Sequence, residues 1–137
     1  MQAYVEHANV TVEDIEQSIE FIQTAIPEFK VRHKGYSDNR WCHIGTDTTY
    51  IALQEAAHSK VSNRKPYKDI GINHIGLVVE DADLVKERLL AAGYQQNELA
   101  DIHPFRKRIY FFDNSGGEWE FIQYLSNDVE KRNQYEA

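Results

Sequence analysis

The sequence of 137 residues contains a single cysteine, Cys42. One thiol cannot close an internal disulfide, and it cannot build a zinc site of the finger or ribbon type, which takes at least two spaced cysteines. Any metal must therefore be held by histidine and carboxylate. Long apolar runs are also missing. None approaches the roughly 20 residues of a membrane-spanning helix, and Met1 leads into Tyr4-Val5-Glu6-His7 instead of a basic and then apolar signal segment. The cytoplasm is the expected compartment. Basic residues are outnumbered, 15 Lys and Arg against 22 Asp and Glu, for a formal charge of -7. Nucleic acid and anionic membrane both demand a basic footprint, so neither is expected as a partner. What is present, 42% hydrophobic and 27% charged residues, is the composition of one ordinary soluble domain.

Along the chain, residues 4–12 alternate: His7, Asn9 and Thr11 share one face, while Ala8, Val10 and Val12 share the other, which predicts a strand with a polar face. Asp14 is placed to cap a helix whose Ile15, Ile19, Ile22 and Ile26 form one apolar stripe, and Pro27 ends it. Residues 29–33 and 40–45 read as strands around a turn at 35–39, and residues 49–54 as a further strand. Residues 56–69 turn small, polar and basic, with His58, Lys60, Arg64, Lys65, Pro66 and Lys68, and read as a linker. A strand at 72–81 follows, then a helix with Ala82, Val85, Leu89 and Ala92 on one face and Gly93 as its stop. Strands are expected around Tyr94, at 108–113 and at 118–124, with a turn at Asn114-Ser115-Gly116-Gly117. In the polar tail, residues 127–130 resemble a capping signal for a short helix or a dimer contact.

This order is a repetition. Sliding the chain by 67 residues lays Val5-Glu6-His7-Ala8-Asn9-Val10-Thr11-Val12-Glu13-Asp14 on Ile72-Asn73-His74-Ile75-Gly76-Leu77-Val78-Val79-Glu80-Asp81, and His7 meets His74. A shift of 68 lays His43-Ile44-Gly45 and residues 50–54 on Phe111-Phe112-Asp113 and residues 118–122. One βαβββ unit is written twice: repeat 1 at 4–55, the linker at 56–69, repeat 2 at 70–125 and a polar tail at 126–137, all in a single domain. Either half alone is too small to bury both faces of a four-stranded sheet, so the units are expected to pack together or against those of a second copy in a homodimer.

The repeat puts His7 and His74 at the start of equivalent strands, with Glu120, and Glu118 on the same face, on the closing strand. Two imidazoles and one carboxylate suit Fe(II), Mn(II), Ni(II) or Zn(II) and leave coordination positions open. The competing reading makes both histidines half-buried strand residues satisfied by hydrogen bonds, with Glu120 facing solvent. Tyr110 is either a hydroxyl donor to a substrate oxygen or a core tyrosine. Asn9 and Thr11 line a cavity floor or face solvent. The basic stretches at 60–68 and Arg106-Lys107-Arg108, beside His103, either clamp a substrate carboxylate or solubilise loops. Trp41, Trp119, Phe111, Phe112 and Phe121 read as core or interface and not as a stacking platform for bases, and Cys42 as a small buried hydrophobe.

The segments around His7 with Glu13-Asp14, Asn73-His74-Ile75-Gly76-Leu77 with Glu80-Asp81, and Tyr110-Phe111-Phe112-Asp113-Asn114-Ser115-Gly116-Gly117-Glu118-Trp119-Glu120-Phe121 resemble the vicinal oxygen chelate superfamily over residues 4–125. That superfamily holds glyoxalase I, methylmalonyl-CoA epimerase, extradiol dioxygenases, fosfomycin-resistance enzymes and the metal-free bleomycin-binding proteins. The resemblance implies an α+β fold of two tandem βαβββ modules forming a cupped mixed sheet around a central cavity. It also implies a divalent metal held by His7, His74 and Glu120, and a small substrate that chelates the metal through adjacent oxygens. The reaction would be that of a lyase, an isomerase or an extradiol-type dioxygenase. A non-catalytic binding or resistance protein on the same fold is the alternative. In glyoxalase-like members a fourth ligand stands where this chain has Ala52. Gln54 lies on the same face two residues on and is the candidate substitute, while Glu55 points the other way in a regular strand. Tyr110, ten residues before Glu120, matches a tyrosine of the dioxygenases, whose acid/base histidine would fall near Thr49; His43 and His58 are the nearby imidazoles.

Overall fold

In the computed structural model, which describes residues 1–58, 62–99 and 102–135, Asp14 and Asp81 do the same work at equivalent places. Each sits in extended backbone after a strand and takes an amide hydrogen bond from the third residue on: Asp14 Oδ1 from Gln17 N at 3.0 Å and Asp81 Oδ1 from Leu84 N at 3.0 Å. Satisfying one orphan amide of the first turn fixes where each helix begins. Two units result, Met1–Arg64 and Lys65–Ala137.

The first unit runs β1 (His7–Val12), α1 (Ile15–Ala25), β2 (Lys30–Tyr36), β3 (Arg40–Gly45) and β4 (Tyr50–Glu55), with sheet order β1-β4-β3-β2. β1 and β4 are parallel and the other pairs antiparallel. Alternation along the strands sends Cys42, Ile44, Ile51 and Leu53 toward α1, where they meet Ile15, Phe21, Ile22 and Ala25. Cys42 is fully buried, as a small hydrophobe should be. The helix stripe is shifted from the expected one: Ser18, Phe21 and Ala25 are buried with Ile15 and Ile22, whereas Ile19 is only half-covered. The large Phe21 ring takes the position toward the sheet and rotates the buried face. β1 starts at His7 and not at Tyr4, and β2 runs through Gly35 and Tyr36 into the expected turn, which tightens to 37–39.

The second unit repeats the plan with β5 (His74–Val78), α2 (Ala82–Ala91), β6 (Arg106–Phe112), β7 (Glu118–Tyr124) and α3 (Val129–Arg132), with sheet order β5-β7-β6. Its core is Ala82, Val85 and Leu89 against Ile109, Phe111, Trp119 and Phe121. Gly93, at φ 89, stops α2, and Asp128 caps α3 by accepting from Glu130 N at 3.0 Å. The strand expected around Tyr94 is reduced to a bridge: Gln96 pairs with Phe111, flanked by Phe112 N to Gln95 O at 3.0 Å and Asn97 N to Tyr110 O at 2.9 Å. Gln95-Gln96-Asn97 occupies the place of β2 but lacks the β-branched and aromatic residues that sustain a ladder.

Register corrects one detail of the repeat. His43 stands opposite Ala52, and Tyr110 opposite Glu120. The equivalent of His43 is therefore Tyr110 and not Phe111, and the offset is still 67 in the third strand. It becomes 68 at the last turn, where residues 113–117 replace the shorter 46–49. Asp113 holds the longer turn, accepting from Ser115 N, Gly117 N and Trp119 Nε1 at 2.8, 2.9 and 2.9 Å.

Candidate metal and substrate site

In the second unit, β5 and β7 are parallel neighbours with His74 opposite Glu118 and Gly76 opposite Glu120. Alternation puts Trp119 and Phe121 into the core, so both glutamates project from the other face, where His74 Nε2 lies 3.0 Å from Glu120 Oε2. The carboxylates are nearly dry, with side chains 6% and 10% exposed. Each is held by donors. Glu118 accepts from Asn97 Nδ2 at 2.7 Å and from the Tyr67 hydroxyl, and Glu120 accepts from the Tyr110 hydroxyl. Burial, reinforced by these carboxylate partners, pushes both tyrosine hydroxyls up to about 12, so they stay protonated donors at neutral pH.

Hydrogen-bond stoichiometry then fixes the imidazole. Tyr67 Oη is also 2.9 Å from His74 Nδ1. Its one proton goes to Glu118, an acceptor only, so the hydroxyl oxygen must accept from Nδ1–H. Nε2 is left to face Glu120 Oε2, a second acceptor. Two acceptors at this distance repel unless a positive charge lies between them, either a second ring proton or a metal ion. Tyr110 adds its ring edge-on to His74, with centroids 5.4 Å apart.

The first unit carries different chemistry on the corresponding face. Tyr50 stacks on His7 at 4.8 Å and on His43 at 4.7 Å, and the guanidinium of Arg32 lies 4.2 Å above its ring. Trp41 follows, 5.1 Å from His43 and 5.4 Å from His33. The indole lies across Gly35, where any Cβ would come within 2.6 Å of it. His7 is 43% exposed with Nδ1 3.0 Å from Glu6 Oε1. Burial, and then the charges of Arg32, His7 and His33, lower the pKa of His43.

The residues singled out from sequence thus fall into two groups. His74, Glu120 and Tyr110 meet in the second unit. His7, Ala52 and Gln54 belong to the first, with Gln54 exposed and paired in register with Thr11 and Trp41. Glu55 is committed to the helix side, accepting from Ile15 N at 3.2 Å and from Arg40. Thr49 donates to Glu6 O at 2.9 Å. Of the two basic stretches, Arg106 is buried with Nη1 on Arg132 O at 3.1 Å, and Lys107 pairs with Asp83 at 2.7 Å. Lys60 lies outside the described residues. Among the described residues, no three His, Cys, Asp or Glu converge as a ready-made metal cage. Sequence reasoning missed Tyr67, which sits in the polar linker; an aromatic after Pro66, seven residues before His74, was the available signal.

Residues 4–121 match the family model described as Glyoxalase/Bleomycin resistance protein/Dioxygenase superfamily. Among solved structures, a glyoxylase/bleomycin resistance protein/dioxygenase domain from Frankia sp. EAN1pec has a TM-score of 0.72 at 21% identity, covering 90% of this chain and 99% of that one. The fosfomycin resistance protein FosX from Mesorhizobium loti gives 0.67 at 16%, covering 98% and 100%. FosX from Listeria monocytogenes, crystallised with Mn(II) and sulfate, gives 0.67 at 17%, covering 98% and 100%. No curated protein matches the chain. At these identities the structural likeness is one of fold.

Proposed function

Since the chain belongs to the Glyoxalase/Bleomycin resistance protein/Dioxygenase superfamily, we propose that it is a metal-dependent enzyme acting on a small molecule with adjacent oxygens, the ligands being His7, His74 and Glu120. One observation carries this: the Nε2 of His74 and the Oε2 of Glu120 lie 3.0 Å apart on one face, with Nδ1 of the same ring engaged by Tyr67, an arrangement that a cation between the two atoms would satisfy. The donor set of imidazole and carboxylate fits a divalent ion of the Fe(II), Mn(II), Ni(II) or Zn(II) type, and the same fold holds Mn(II) in the Listeria protein. When bound, such an ion polarises a substrate oxygen and stabilises negative charge there.

The chain's own side chains do the rest. Asn97 and Tyr67 hold Glu118, and Glu118 in turn fixes the Tyr67 hydroxyl that orients His74. Tyr110 donates to Glu120 and helps hold its carboxylate beside His74. His43, its pKa lowered, is neutral at pH 7 and is the group placed to take a proton from substrate; this moves the acid/base role to it from the Thr49 position and from His58. Gln54 offers its amide to the substrate on the Ala52 side. The second module, of the same chain or of a partner in a homodimer, completes the site.

A second reading, a metal-free small-molecule-binding protein, draws on the fact that no three ligating side chains converge among the described residues. Metal content separates the two. Protein reloaded anaerobically with Mn(II) or Fe(II) should hold one equivalent by elemental analysis, and His74→Ala and Glu120→Gln should lose it. Wild-type protein that retains no stoichiometric metal sinks the enzyme reading, and a folded His7→Ala that keeps full affinity removes His7 from the ligand set.

A further inference from the structure

We propose that Arg32 anchors an oxyanion, carboxylate or phosphonate, of the substrate, so that the first module's face binds the substrate's anionic end. This deepens the function proposed above and rests on it for the word substrate; the anion site itself stands on four observations within the first module.

The ladder between β2 and β3 slips between Val31, opposite Ile44, and His33, opposite His43, so Arg32 is the extra residue of a bulge. A bulge breaks strict alternation and re-aims one side chain. Here it delivers the guanidinium over Tyr50, two strands away, at 4.2 Å from the ring centroid. A guanidinium attracted to an aromatic face keeps N–H donors at its edge, and such an edge matches two oxygens of a carboxylate or phosphonate.

Arg32 is exposed and has no ion-pair partner among the described residues, unlike Arg40, held by Glu16 and Glu55, and Lys107, held by Asp83. In a chain with seven negative charges in excess, an unpaired arginine is the less expected outcome. Its neighbours are the imidazoles of His33 and His43, and the Glu6 carboxylate is engaged by His7. Arg106 and Lys107, for which a substrate clamp was one of the two readings of the sequence, are committed elsewhere, so the anion-binding role passes to Arg32.

The test uses the two indoles as reporters. Trp41 lies on the proposed surface, whereas Trp119 is buried with its Nε1–H on Asp113, which makes it an internal control. The full chain, labelled with 15N-tryptophan, is titrated as purified and again after chelator treatment with benzoate, phenylphosphonate and the neutral benzamide. Both anions, or one of them, should shift the Trp41 indole signal saturably and leave Trp119 in place, with benzamide much weaker. Arg32→Ala should weaken anion binding by about ten- to a hundredfold without altering the benzamide response. Arg32→Lys, which keeps charge but loses the planar fork, should recover only part. The anion that binds tighter names the oxyanion. Anions no better than benzamide, or an Arg32→Ala protein that binds them like wild type, overturn the proposal. Because the chelator-treated arm contains no metal, that failure is separate from failure of the metal reading, which His74→Ala reports.

Discussion

Replacing Tyr67 with Phe removes one oxygen and tests the relay that orients His74. The hydroxyl donates to Glu118 and accepts from His74 Nδ1 at 2.9 Å, and the backbone that carries it has a φ of 68, rare for a residue with a side chain. Such a conformation costs about 1–3 kcal/mol and persists where surrounding bonds over-determine it; here they are this hydroxyl and Tyr67 N to Asn73 Oδ1 at 2.7 Å. Phe keeps the strain and loses the bond. A hydrogen bond to an ionised group contributes about 1.5–3 kcal/mol. Tyr67 is 58% exposed, so water reaches the freed Nδ1–H, but the Glu118 side chain is only 6% exposed and is poorly resolvated. A loss of about 1–2 kcal/mol follows, read as a drop of roughly 0.5–1 M in the urea midpoint. The larger effect should be on metal. Partners of a ligating histidine typically set about ten- to a hundredfold in affinity, so competition with a chromophoric chelator should show Zn(II) binding weakened by that factor. Tyr67→Phe protein that binds Zn(II) as wild type does would refute the relay, whatever its stability.

Three further outcomes are expected. Arg40 beside Glu16 holds its carboxyl down at about 2 against an ordinary 4.5, so its stabilisation is complete above pH 4.5 and drains away as pH falls toward 2. With the side chain 65% exposed the effect is below about 1 kcal/mol, and urea melts at pH 6 and pH 3 should lose more stability in wild type than in Glu16→Gln. Gly45→Ala would put a methyl 2.2 Å from Thr49 O and 2.6 Å from Tyr50 Cα, both backbone; destabilisation of at least about 1–3 kcal/mol is expected by thermal melting, and an unchanged melting temperature would contradict the closeness of that turn. Burial raises the pKa of the Cys42 thiol, so an aromatic disulfide reagent should label it only as fast as the first unit unfolds, and rapid labelling in native buffer would show an open core.

Features encoded within a few neighbouring residues were legible in the sequence. Asp14 and Asp81 caps, the Gly93 stop and the turn held by Asp113 depend on local chemistry, and the alternation of Glu118, Trp119, Glu120 and Phe121 assigns their faces without knowledge of any partner strand. The strand expected around Tyr94 is only a bridge: an aromatic and a following polar run look alike in a ladder and in a single bridge. Arg32 escaped because a bulge is a property of two strands in register, and neither Val31-Arg32-His33 nor His43-Ile44 marks a slip. Tyr67 escaped because its neighbours are those of a solvated linker, and its value to the site arises from a left-handed backbone and a hydroxyl that closes a contact with Glu118, 51 residues on.

Within the repeat, the paired positions have diverged in charge, and the divergence has a physical sense. His7 faces Tyr50 across β1 and β4, while its counterpart His74 faces Glu118; Ala52 stands where the second module has Glu120, and His43 where it has Tyr110. Glutamates at the Tyr50 and Ala52 positions would set two carboxylates on the face that carries Arg32, where they would compete for its guanidinium and repel an anionic ligand. Those positions in the first module are taken by an aromatic ring and a small side chain, and Tyr50 is the ring on which Arg32 rests. On the proposed reading the second module supplies both His74 and Glu120 to the cation, while the first contributes His7 alone and binds the anion. Restoring the symmetry with Tyr50→Glu should therefore abolish anion binding at Arg32, by supplying an internal carboxylate, while leaving His74 and Glu120 able to hold metal. Retention of the Trp41 response to phenylphosphonate in that variant would show that the division of labour between the modules is drawn in the wrong place.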